Sequence, residues 1–230
     1  MTEIKTQYLI KRFTAYFDGK DQVREKALKL AREISKESSA IIRKLHTKTI
    51  ADKSKIVDLM AELKVITKKH HTLTTTLKKY PELYYSNMLE NFIQEYAEAI
   101  IMLSLVRNDL KMTKLPDPDK LDIRYSTFLL GLSDVIGELR RCTLEALRSH
   151  DLTQAYKYLD LKEQLYEIIL NLNYPEKVLP LRHKQDVARA LIEKTRSELA
   201  FAVSEYSLVD NITELKKDLK KYYKKVVRKN

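Results

Sequence analysis

YSTFLLGLSDVIGE, from Tyr125 to Glu138, is the stretch that decides how the chain is read. The sequence is 33% charged, and this is one of its most apolar runs, yet it contains Asp134 and, one helical turn later, Glu138. Burying a carboxylate in such surroundings costs several kcal/mol unless it is paired or bound to a metal. The compensating groups must therefore come from elsewhere in the chain. Upstream, QEYAEAIIMLSLV (Gln94–Val106) places Glu95 and Glu98 three residues apart, and Glu98 is the only charge between Tyr96 and Val106. Two apolar helices, each carrying a closely spaced pair of acids, point to one shared site.

Composition supports long helices around one core. A chain of 230 residues lies below the roughly 250–300 at which single cores divide, so one domain over residues 1–230 is expected. Three glycines and five prolines leave few places to turn. The fold class that follows is all-α, a single-domain bundle of about seven helices. Cys142 is the only cysteine, which excludes an internal disulfide. No run approaches the ~20 apolar residues of a membrane span or the pattern of a signal peptide, so a cytoplasmic protein with no membrane partner is expected. The formal charge of +11 favours a polyanionic partner.

Periodicity places the elements. A short helix is expected to end near Gly19, followed by a long one with the face Val23, Ala27, Leu30, Ile34, Ser38, Ile41 and Leu45, in alternating steps of four and three. After a loop at Lys48–Lys53, a second seam runs Ile56, Leu59, Leu63, Ile66, His70, Leu73, Leu77. His70 reads as a buried histidine rather than a metal ligand, because no histidine or cysteine stands at ligand spacing near it. A helix from Pro81 to about Leu110 carries Glu95, Glu98, Met102 and Leu105 on one face, and KMTKLPDPDKLD (111–122) is the clearest loop. The next helix, from about Ile123 to Ser149, aligns Leu130, Asp134, Gly137, Glu138 and Arg141. Gly137 stands between the two acids, either to admit a close ligand or to pack tightly. Asp151 caps a further helix that ends near Tyr174-Pro175. Two more are read at Ala188–Tyr206 and Ile212–Val226. The last segment, 208–230, is a basic helix, and Asp210–Asn230 holds eight Lys/Arg against three Asp/Glu.

Four acids on two neighbouring helices supply the oxygen ligands that Mg²⁺ or Mn²⁺ prefers. Water activated by a metal there suits hydrolysis of a phosphodiester. Di-iron chemistry in a bundle would ask for Glu-x-x-His pairs, which are absent. No phosphate-binding glycine loop, G-x-S-x-G elbow, H-E-x-x-H or Cys-x-x-Cys occurs, which removes the kinase, dehydrogenase, hydrolase-triad and zinc readings.

These residues resemble a known family. GLSDVIGELRRCTLEAL (Gly131–Leu147) is similar to the signature of the translin family, and QEYAEA (Gln94–Ala99) resembles its Trax branch in particular. REISKESSAIIRKLH (Arg32–His46) and LRHKQDVARALIEKTRSELAFAV (Leu181–Val203) are similar to other helices of that family. The resemblance implies an all-helical subunit that assembles into hollow homo-oligomers, typically octamers. It also implies that Glu95, Glu98 and Asp134 hold the catalytic metal, Mg²⁺ or Mn²⁺, of an endoribonuclease acting on single-stranded RNA, with Glu138 beside them. The alternative is a non-catalytic translin-like oligomer that binds single-stranded RNA and single-stranded DNA. A separate translin-like subunit is a further candidate partner. The stretch PELYYSNMLENF (81–92) lacks the arginine and histidine pattern with which translin-like subunits hold RNA, so that binding site is not carried over. Arg140 and Arg141 are candidates for flanking phosphates, with a structural ion pair as the open alternative for each.

Overall fold

The computed structural model describes residues 2–46 and 53–227, and these form seven α-helices and no strand. The first, α1 (Thr2–His46), lies against α2 (Lys53–Leu77); α3 (Pro81–Tyr84) and a 3-10 turn (Asn87–Leu89) lead into α4 (Glu90–Arg107). After a loop come α5 (Tyr125–Arg148), α6 (Leu152–Leu170) and α7 (Arg182–Val227). The helix α5 is central, packed on α4 along one side and on α6 and α7 along the other, while α1 bridges α2 and α4. Among the described residues no helix is long and apolar enough to cross a membrane.

The periodic faces are the buried ones. Ala27, Ile34, Ser38, Ile41 and Leu45 of α1 are buried, as are Ile56, Leu59, Ile66, His70, Leu73 and Leu77 of α2. Asp151 caps α6 as expected, its carboxylate accepting the Gln154 N–H at 2.9 Å. Of the expected loop at Lys48–Lys53, all but Lys53, which begins α2, lies outside the described residues.

Three boundaries differ from the sequence reading. Gly19 does not end a helix. It sits inside α1 without a positive φ, and a Cβ there would meet the Tyr80 hydroxyl at 2.9 Å. The glycine makes room for a neighbour instead of a turn. The helix expected from Pro81 breaks after one turn, because Ser86 is extended (φ −71°, ψ 154°) and its hydroxyl donates to the Leu83 carbonyl. The chain restarts at Glu90, whose carboxylate takes Arg124 and Thr127, each at 3.3 Å. This fixes the first turn of α4 beside the first turn of α5. Finally, the two helices expected after Pro180 are one, since nothing from Arg182 to Asn230 is a glycine or proline that would stop it.

Candidate functional site

The acids meet because α4 and α5 approach closely. At Gly131 a Cβ would stand 2.8 Å from the Gln94 carbonyl oxygen, 2.9 Å from the Ala97 Cβ and 3.0 Å from the Glu98 nitrogen, so only glycine lets the two backbones come this near. Three and seven residues further along α5, Asp134 and Glu138 then stand opposite Glu95 and Glu98 of α4. Gly137, which the sequence places between the acids, has open space, with only the Leu191 Cδ1 within reach at 3.9 Å.

All four acids line one open cleft of about 390 Å³, together with Ser39, Ile42, Arg43, Asn91, Gln94 and Arg141. Three of them are tied to partners from distant elements. Glu95 accepts hydrogen bonds from Ser35 at 2.8 Å and Ser39 at 2.5 Å, two hydroxyls one turn apart on α1. Asp134 pairs with the Lys184 ammonium from the first turn of α7 and accepts from the Gln94 side-chain amide. Glu138 pairs with His46 Nε2, at the end of α1. Among the described residues, no group of three or more His, Cys, Asp or Glu side chains is arranged to hold a metal ion as it stands.

Glu98 is the electrostatic centre of the cluster. Only 8% exposed, its carboxyl is pushed up to about 8, first by burial and then by the negative charges of Asp134, Glu138 and Glu95, with Lys184 opposing. Near neutral pH it therefore holds a proton, which is the ordinary answer of a buried acid that lacks enough positive charge nearby.

His46 also links Glu138 to the buried Cys142, its Nδ1 lying 3.6 Å from the Cys142 Sγ. An acid, a histidine and a cysteine in line suggest a thiol nucleophile. Here burial, then the charge of Glu138, pushes the thiol up to about 12, so it stays protonated and unreactive.

Of the two arginines singled out from sequence, Arg141 is exposed on the cleft wall, while Arg140 is paired with Glu198 of α7 at 2.5 Å and does not line the cleft. Sequence reasoning missed Ser35, Ser39, His46, Arg43, Gln94 and Lys184. The two serines, spaced four apart on a helix whose buried face is mostly aliphatic, were the one available signal.

Comparison with known proteins follows the same outline. The family description "Translin family" matches residues 22–199. An uncharacterized protein of Methanocaldococcus jannaschii is 36% identical over 198 residues, covering 86% of this chain and 84% of that protein. Among solved structures, AfC3PO in complex with duplex RNA is similar with a TM-score of 0.73 and 27% identity, over 85% of this chain and 97% of the other. A further crystal structure of AfC3PO gives the same values. Apo-NeC3PO, at 22% identity and a TM-score of 0.70 over 84% of this chain and 96% of its own, shares the fold.

Proposed function

The chain belongs to the translin family, and we propose that it is a Trax-like member of it, an endoribonuclease that cleaves single-stranded RNA with Mg²⁺ or Mn²⁺ held by Glu95, Glu98, Asp134 and Glu138. The observation that carries this reading is the convergence of four carboxylates on one cleft around the buried Glu98, where burial and the neighbouring negative charges push the Glu98 carboxyl up. A site whose acids cannot all ionise together is short of positive charge, and a divalent cation with hard oxygen donors supplies it. The donor set therefore fits the ion. When bound, the ion contributes Lewis-acid activation of water and neutralises charge on a phosphodiester.

The residues of the chain have separate parts in this reading. Glu98 would hold the ion as a carboxylate, the form that added positive charge favours. Lys184 now pairs with Asp134, a carboxylate it would share with the ion. Ser35 and Ser39 hold Glu95 at the cleft wall, and His46 holds Glu138. Arg43 and Arg141, exposed on the same cleft, are placed to take the phosphates on either side of the scissile bond. RNA as the partner class draws support from the relative solved with duplex RNA, and a homo-oligomer, octameric as in the family, is the expected working form. Single-stranded DNA is a second ligand of the same charge character.

One observation favours the rival reading, an RNA-binding shell without catalysis: Asp134 and Glu138 already have cationic or donor partners in Lys184 and His46. The test is cleavage of single-stranded and duplex RNA with Mg²⁺ or Mn²⁺ against chelator, by the natural protein and by Glu98→Gln, beside RNA-affinity measurements. Metal-stimulated cleavage that collapses in Glu98→Gln, with RNA affinity kept, is the expected result. Unchanged cleavage in Glu98→Gln, or binding with no metal-stimulated cleavage of either RNA, overturns the nuclease and leaves the shell.

A further inference from the structure

The second half of α7 leaves the body of the protein. Tyr206 ties the helix to the end of α5 by donating its hydroxyl to the Leu147 carbonyl. Beyond it every residue from Ser207 to Tyr222 is exposed, although the helix continues unbroken to Val227. A free-standing helix of this length is marginal in water, and this one carries Leu208, Ile212, Leu215 and Leu219 in solvent at 49–61% exposure.

Those residues are not scattered. Leu208, Ile212, Leu215, Leu219 and Tyr222 recur in alternating steps of four and three, the 3.5-residue period of a coiled-coil seam. Phe201, 72% exposed, falls in the same phase. The body-facing side of α7, Ala188, Ile192, Thr195, Leu199 and Ala202, is buried and keeps the same period one residue later. The exposed seam is therefore turned about 100° from the face that packs on the bundle, and the bundle cannot cover it. Nor can the chain cover it with its other exposed apolar segment. That segment, exposed at Tyr8, Leu9, Ile10, Phe13 and Phe17 of α1, runs into Tyr16, which contacts Tyr80 and Glu82, whereas α7 departs from the end of α5.

We propose that this seam binds a second copy of itself, residues 207–222 of two chains pairing in parallel as a two-stranded coiled coil. In heptad terms Leu208, Leu215 and Tyr222 occupy d, and Ile212 and Leu219 occupy a. A β-branched residue at a between leucines at d favours two parallel strands. The flanking positions agree. Parallel pairing sets Asn211 at g beside the partner's Lys216 at e, an uncharged donor–acceptor group beside a cation. Antiparallel pairing in the register that sets Leu215 against the partner's Leu219 would instead set Lys216 against the partner's Lys216, and Asp218 against the partner's Asp218, which is repulsive. Lys217, Lys220 and Lys221 take outer positions, so pairing leaves the basic face of both helices in solvent, free for a polyanion. The segment lies outside residues 22–199 that match the family, so the contact is independent of the nuclease reading.

The test uses the full chain and the fact that its one cysteine, Cys142, is buried. Ile212→Cys and Leu219→Cys place a thiol at a, and Lys217→Cys places one on the outer face. Under a mild oxidant the a-position variants should form a covalent dimer about tenfold faster or more than Lys217→Cys, because a-position Cα atoms of parallel strands stand within disulfide reach. Circular dichroism confirms that each variant is folded. Equal rates at inner and outer positions, or no dimer from either inner variant, overturn the pairing. Faster cross-linking of Leu215→Cys mixed with Ile212→Cys or with Leu219→Cys than of any of these variants alone overturns the parallel direction.

Discussion

Gly131 of α5 faces the main-chain carbonyl of Gln94 on α4 so closely that a Cβ on the glycine would stand 2.8 Å from that oxygen. Backbone atoms cannot swing aside as a side chain can, so Gly131→Ala must push the helices apart. The expected cost is about 1–3 kcal/mol of overpacking, larger than the roughly 1 kcal/mol that alanine gains in helix propensity. Gly137→Ala has the opposite sign, a gain of roughly 0.5–1 kcal/mol, because nothing lies nearer than the Leu191 Cδ1 at 3.9 Å. Denaturant melts of the two variants give both signs. A stabilised Gly131→Ala would mean that the close approach does not hold the acids together.

His70 carries a pH dependence that involves none of the acids of the cleft. It is 2% exposed, lies 4.8 Å from the Tyr96 ring, and burial holds its imidazole down to about 4 from 6.5. Between these values the unfolded chain binds a proton that the folded one refuses. Stability is therefore full above about pH 6.5 and falls as pH drops towards about 4, by on the order of 3 kcal/mol from this residue. His70→Phe keeps a ring against Tyr96 and removes the proton. Its loss of stability from pH 6.5 to 4 should be smaller than that of the natural protein by about this amount, and identical acid limbs would refute the assignment.

Lys162 shows the same logic at alkaline pH. Fully buried between α6 and α7, it donates to the Thr195 hydroxyl at 2.7 Å. Burial, followed by the charge of Arg140, lowers its ammonium to about 8 from 10.5. The unfolded chain holds this proton more tightly, so the residue makes stability rise from about pH 8 to 10.5, by roughly 3 kcal/mol. Lys162→Met should be at least as stable at pH 7, since a buried charge is exchanged for apolar packing. The difference between the two proteins should shrink steadily as pH rises from 8 to 10.5, and a constant difference would show that the amine does not titrate there.

What the sequence revealed and what it concealed divide along a physical line. Glu98 and Asp134 were legible because a charge inside an apolar helical face is costly, and the cost can be read without knowing the neighbours. The buried faces of α1 and α2 were legible from period alone. The partners of the acids were not. Lys184 lies fifty residues from Asp134, and His46 ninety-two from Glu138, and only the crossing of α1, α5 and α7 brings them together. The same holds for the glycines. Gly137 looked significant because it sits between Asp134 and Glu138, but which glycine meets another backbone depends on where α4 crosses α5, and that point is Gly131. Gly19 suggested a stop because glycine often caps helices, whereas its room is used by Tyr80.

The contact between Lys184 and Asp134 separates a cation site from a structural ion pair. Both side chains are about a quarter exposed, so the pair itself contributes on the order of 1 kcal/mol or less. Lys184→Gln keeps a donor near Asp134 but deletes a positive charge that opposes the rise of the Glu98 carboxyl. In chelator the variant should be slightly less stable than the natural protein. With Mn²⁺ the order should reverse, because the ion no longer competes with an ammonium and ligand binding adds stability as RT ln(1 + [L]/Kd). An affinity about tenfold tighter corresponds to about 1.4 kcal/mol of extra stabilisation at saturating Mn²⁺. Thermal melts of both proteins across a Mn²⁺ series, with Ca²⁺ and chelator alongside, measure this without any RNA. If neither protein gains stability from the ion, while Lys184→Gln is weaker than the natural protein in every buffer, the acids are compensated within the chain and the cleft is no metal site.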